Sequence, residues 1–110
     1  MNSFVFTGQL NNEPRMMMTG SGRKFTRLEL LVTYSFGETA KHYKFNIKAW
    51  GDVAEAAVAQ DMKVGTDLFV TGKVVERQYV YQGRERATME LIAISIGRLV
   101  DEEYYAEADD

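Results

Sequence analysis

From Phe25 to Tyr34 the chain alternates, with Thr26, Leu28, Leu30, Val32 and Tyr34 on one side and Arg27, Glu29, Leu31 and Thr33 on the other. A strand turns successive side chains to opposite faces, so a period of two predicts the first set inward. The alternation is clearest from His42 to Trp50, where Tyr43, Phe45, Ile47 and Ala49 oppose His42, Lys44, Asn46, Lys48 and Trp50. Phe36-Gly37-Glu38-Thr39 breaks the two runs apart. Upstream, Phe4-Val5-Phe6-Thr7 joins β-branched and aromatic residues and stops at Gly8, which reads as a first strand. Asn11-Asn12-Glu13-Pro14 and Thr19-Gly20-Ser21-Gly22-Arg23-Lys24 are turn signals, and Arg15 to Met18 lies between them.

After Trp50 the period changes. Ala54, Val58 and Met62, with Val53 and Ala57, recur at helical spacing and form a narrow apolar stripe. Asp52 is the expected N-cap and Glu55 follows three residues on, as in a capping box. Lys63 suits the negative end of the helix dipole, and Gly65 is placed to end the helix in a left-handed turn. A fourth strand runs from Asp67 to Val75, with Leu68, Val70 and Val74 on one side, and continues to Tyr81 as an extended arm. Gln82-Gly83 supplies a hairpin turn, and a fifth strand returns from Arg86 to about Ile96. The order β-β-β-α-β-β predicts an all-β chain: an OB-fold, a five-stranded Greek-key barrel with one short helix between strands 3 and 4.

Composition narrows the function more than the fold. The chain has 110 residues, 45% hydrophobic and 26% charged, which fits one ordinary globular domain. It has no cysteine, which excludes a disulfide scaffold and a thiol nucleophile, and its single histidine leaves little for a zinc site. Apolar runs such as Leu30 to Val32 and Ile92 to Ile94 are too short for a membrane span or a signal peptide, so a cytoplasmic protein is expected. The net charge of −3 divides unevenly. Residues 1–100 hold all thirteen Lys and Arg against ten Asp and Glu, a body of +3, and residues 101–110 hold six carboxylates and no base. We therefore read residues 1–100 as the domain and 101–110 as a short acidic, disordered tail. A basic body with an acidic tail suits a protein that meets an anion and carries a competitor for it; a solubilising tail has the same composition.

The polar face of the third strand carries the candidate chemistry. Lys44, Lys48 and Trp50 lie on one side at two-residue spacing, roughly 6–7 Å per step. Phosphates need cations, and unpaired bases offer π-faces that a ring can cover. The long hairpin repeats the mixture, with Lys73, Arg77, Tyr79, Tyr81, Arg84 and Arg86 around one turn. Arg23, Lys24 and Phe25 carry it near the first loop, and Phe36 is a further ring at the end of the second strand. The alternatives are that Trp50 closes the barrel end or lies in a subunit interface with its lysines simply solvated, that the Tyr and Arg of the long hairpin are those of any exposed hairpin, and that Phe36 is a core residue. Catalysis has no support: His42 lacks a Ser or Cys partner in a recognisable motif, and Asp52 with Glu55 reads as a helix cap. Gly20-Ser21-Gly22 lacks the Lys and helix of a phosphate loop, and Met16-Met17-Met18 reads as packing or interface surface. No enzyme activity, metal or cofactor is expected.

The succession Gly8-Gln9-Leu10 with Pro14, Gly22 through Leu30, and Phe45-Asn46-Ile47-Lys48-Ala49-Trp50-Gly51 resembles the bacterial single-stranded DNA-binding protein family. The likeness continues through Val53-Ala54-Glu55, Lys63-Val64-Gly65, Val70-Thr71-Gly72-Lys73 and Gly83-Arg84-Glu85-Arg86, covering about residues 2–100. It implies a single-stranded DNA partner bound with little sequence preference, and homo-oligomerisation, most often to a tetramer. By position it implies stacking roles for Trp50, Tyr79 and Phe36. Lys44 stands where the family often has an aromatic, and Arg15 lies a few residues before the family's usual arginine. The resemblance also implies replication or repair proteins as partners of the acidic tail, although the 110 residues show neither the family's long linker nor its Pro-Phe tip. Two competing readings use the same barrel. One is a primosomal accessory protein, usually dimeric, that bridges DNA and replication enzymes; the other is an interaction module that has lost DNA binding.

Overall fold

The computed structural model describes residues 2–99; the acidic tail, residues 101–110, lies outside the described residues. The elements are β1 (Phe4–Leu10), β2 (Met17–Met18), β3 (Lys24–Phe36), β4 (Thr39–Trp50), α1 (Gly51–Ala59), β5 (Asp67–Tyr81) and β6 (Arg84–Arg98). Their order in the sheet is β1-β5-β6-β4-β3-β2, and a further β1–β3 pairing closes five strands into a barrel. All pairings are antiparallel except β4 with β6, which is parallel and joined only at Ile47–Leu91 and Lys48–Ile92. The all-β OB-fold expected from the alternation is the fold observed.

The interior is filled by the inward residues of each strand. Leu10, Leu28, Leu30, Ile47, Leu68 and Val70 are buried almost completely, each worth roughly 1.5–3 kcal/mol relative to exposure. Ala54 and Ala57 of the helix close one end, as their spacing predicts, together with Met62 from the segment that follows it. Phe6 stacks on Phe45, with ring centroids 4.3 Å apart. Thr26 is the one buried polar residue among those described, and its Oγ1 donates to the Arg15 carbonyl at 2.7 Å. This bond fastens the loop ahead of β2 to the barrel wall.

Several local expectations are corrected. The helix begins at Gly51 with Trp50 as its N-cap and no capping side chain, so Asp52 sits inside the first turn. Glu55 makes no capping box; its Oε1 accepts from Lys24 Nζ at 2.9 Å and raises the Lys24 pKa above its ordinary value. The helix ends at Ala59 rather than near Gly65, and no basic residue lies in its last turn. Arg98 Nη2 instead donates to the Gln60 carbonyl there, at 2.5 Å. Met17 and Met18 add a two-residue strand on the edge of β3, and β1 runs on through Gly8 to Leu10. Tyr34 and Tyr43, expected inward, are 42% and 43% exposed. They lie where the β3–β4 hairpin has outrun the barrel.

That overrun shapes the molecule. Residues 33–44 and residues 76–89 are exposed throughout, so both long hairpins project as two-stranded arms. The second arm turns at Gln82-Gly83 with positive φ at both residues, 52° and 74°, which matches the right-handed twist of a tight hairpin. No helix among the described residues is long and apolar enough to cross a membrane.

Candidate nucleic-acid interface

The β3–β4 register pairs Phe25 with Trp50, Arg27 with Lys48, Glu29 with Asn46 and Leu31 with Lys44. All eight side chains leave the barrel on its outer face, because their inward neighbours Thr26, Leu28, Leu30, Ile47 and Ala49 are buried. On β5 and β6 the same face carries Lys73 opposite Ile92, Arg77 opposite Thr88, Tyr79 opposite Arg86 and Tyr81 opposite Arg84. The Lys48–Ile92 pairing joins the two ladders, so the outer faces of β3, β4, β6 and β5 form one curved surface. Nine of the ten site residues picked from the sequence lie on it.

Trp50 is half-buried at one end. Its ring lies 5.3 Å from that of Phe25 at 42°, and the Arg23 guanidinium covers it at 4.0 Å. Lys48 Nζ lies 5.1 Å from the Trp50 ring and 5.3 Å from the Phe25 ring, with the Arg27 guanidinium 5.9 Å from Phe25. Two rings and three cations thus share a few ångströms, each cation held partly by ring quadrupoles. The cluster forms locally because Arg23 ends a turn in which Thr19 Oγ1 accepts its N–H at 3.0 Å. That turn delivers Arg23 to the strand start, beside the last residue of β4.

Carboxylates hold several of the remaining cations. Glu90 Oε1 lies 3.1 Å from Arg77 Nη1 and 3.8 Å from Lys48 Nζ, and Glu29 Oε1 lies 3.8 Å from Lys44 Nζ. Where β4 and β6 part, Arg27, Asn46, Lys48, Arg77, Thr88 and Glu90 surround a cleft of about 360 Å³. Tyr79 and Tyr81 stand on the arm, 41% and 57% exposed, opposite Arg86 and Arg84. Lys73 is exposed at the base of the same arm.

Phe36 is not brought to this surface. It pairs with Thr39 at the tip of the β3–β4 arm, on the alternate face of β3, and is 64% exposed. His42 lies on the outer face, its Nδ1 3.0 Å from Thr33 Oγ1. Arg27, Glu29 and Glu90 belong to the surface but are not singled out by the sequence pattern. Arg27 was visible two residues from Phe25 on a period-two strand, whereas the Glu90–Lys48 contact depends on a parallel pairing with no local signature.

Residues 1–99 match the model of the single-strand binding protein family. Among curated proteins no match is found.

Proposed function

The chain belongs to the single-strand binding protein family, whose members bind single-stranded DNA, and from that premise we propose how this one does so. Bases stack on Trp50, with Phe25 beside it, and on Tyr79 and Tyr81 of the arm. Lys44, Lys48, Lys73, Arg77, Arg84 and Arg86 follow the phosphates, and Phe36 meets the strand where it passes the tip of the other arm. Stacking is indifferent to base identity because every base has a π-face, so binding shows little sequence preference. The role is to coat single strands exposed in replication, recombination and repair, in the cytoplasm with the nucleoid. The working unit is a homotetramer, and the acidic tail receives replication or repair proteins. No reaction, metal or cofactor is involved.

The observation that carries this reading is the Phe25–Trp50 pair set among Arg23, Arg27 and Lys48 on a sheet face continuous with the basic, tyrosine-bearing arm. Rings and cations interleaved on one open surface fit a flexible single strand, whose bases and phosphates call for both. The test follows the fluorescence of Trp50, the only tryptophan, during titration with oligo-dT at two salt concentrations, with a gel shift on the same samples. Saturating quenching that weakens with salt is expected, since phosphate contacts release counterions. Silence in both assays would overturn the reading. Light scattering of the free protein checks the tetramer against the dimer of a primosomal protein.

A further inference from the structure

We propose that Glu90 is an internal stand-in for a DNA phosphate, holding Lys48 and Arg77 in the cleft between β4 and β6 and lowering affinity for the strand. The proposal rests on the single-stranded DNA reading above and adds to it a residue that sets affinity.

The placement is unlike that of the other surface carboxylates. Glu90 bridges two cations from different strands, Arg77 on β5 at 3.1 Å and Lys48 on β4 at 3.8 Å. Its side chain is only 21% exposed and that of Lys48 only 16%, whereas Glu55 with Lys24 and Glu13 with Lys63 are about half exposed or more. A sheltered ion pair is less screened by salt than an exposed one, so the Glu90–Lys48 contact persists where surface pairs contribute little, while the shorter contact reaches an Arg77 side chain that is 58% exposed. Arg27 also lines the cleft, which therefore holds three cations and one carboxylate, paired with two of them.

A carboxylate and a phosphodiester present the same pair of charged oxygens to a guanidinium or an ammonium. A phosphate entering the cleft must displace Glu90 from Lys48 and Arg77 or lie beside it, and both courses cost affinity. A displaced Glu90 also takes back a cation from solution. The wild-type salt dependence is therefore shallower than its number of phosphate contacts implies.

Glu90→Gln keeps the shape and removes the charge. Glu76→Gln is its control: Glu76 lies on the opposite face of the same arm, paired in register with Met89 and touching Gln78, so it changes the net charge equally without entering the cleft. Oligo-dT affinity is measured by anisotropy across a salt series for wild type and both variants, with thermal unfolding as the check on folding. Glu90→Gln should bind about five-fold more tightly at low salt, with a log–log slope steeper by roughly 0.7, one contact's worth, while Glu76→Gln stays within about two-fold of wild type. If Glu90→Gln unfolds, Glu90→Ala carries the same expectation. Wild-type binding with Glu90→Gln unchanged, weaker, or no tighter than Glu76→Gln overturns the proposal and leaves DNA binding standing. Absence of binding by all three proteins overturns both.

Discussion

Phe25 and Trp50 face one another across the β3–β4 ladder, ring centroids 5.3 Å apart and inclined at 42°, with Arg23 lying 4.0 Å over the indole. Trp50 thus has a neighbouring ring beside it and a guanidinium lying over its indole, a group that solvent or a base can replace. A planar guanidinium over an indole marks a face suited to stacking. Trp50→Ala should weaken binding by roughly 1–3 kcal/mol, alike on oligo-dT, oligo-dA and oligo-dC, and Trp50→Phe should recover part of the loss. Anisotropy of a labelled oligonucleotide measures it without the tryptophan signal. Equal affinities of wild type and Trp50→Ala would remove the indole from the site.

Arg27 is opposite Lys48 in the ladder and lines the cleft, yet has no carboxylate partner among the described ion pairs. A cation free of internal competition is the one most available to a phosphate. Arg27→Ala should lower affinity on every sequence and make the log–log salt slope shallower by roughly 0.7, the value for one single-strand phosphate contact. A salt titration of this variant against wild type checks it. An unchanged slope would show that Arg27 supports Phe25 rather than DNA.

The alternation in β3 and β4 was legible in the sequence because each strand has one buried face, and so were the barrel order and the Lys48–Trp50 strip. The helix start was not. Asp52 and Glu55 have the spacing of a capping box, but Glu55 is taken by Lys24 from β3, a partner 31 residues away that no local pattern reveals. The place of Phe36 was hidden for a related reason: residue type suggests a stacking ring among the others, while parity along β3 sets it on the face opposite Arg27 and Phe25, at the tip of the arm. Glu90 escaped notice because its partners lie on two other strands. What local periodicity encodes was readable; what depends on strand pairing was not.

Gly72 tests the packing where β1, β5 and β6 meet. A Cβ there would lie 2.0 Å from the Ile92 carbonyl oxygen and 2.5 Å from the Phe4 ring, and the β6 strand already carries a register shift at this point. The carbonyl belongs to backbone and cannot swing aside. Gly72→Ala should cost at least the roughly 1–3 kcal/mol typical of overpacking, read as a lowered urea midpoint. An unchanged midpoint would mean that β5 and β6 separate here at little cost.

Asn12 closes the barrel where backbone pairing ends. β1 pairs with β3 only at Gln9–Leu31 and Leu10–Leu30, and the Asn11 N–H then reaches the Glu29 carbonyl at 2.8 Å. Beyond that the Asn12 carboxamide replaces a strand residue: its Nδ2 donates to the Arg27 carbonyl at 3.0 Å and its Oδ1 accepts from the Glu29 N–H at 2.9 Å. Asn12→Ala strips both partners of their bonds and should cost roughly 1–3 kcal/mol. Asn12→Asp keeps the acceptor for Glu29 but turns a carboxylate oxygen toward the Arg27 carbonyl, so it should recover little of that loss. Urea denaturation ranks the three proteins, and hydrogen exchange at the Glu29 amide reports the seam itself: exchange should quicken in Asn12→Ala and less so in Asn12→Asp. Wild-type exchange in Asn12→Ala would show that the seam is held by the β1–β3 ladder alone.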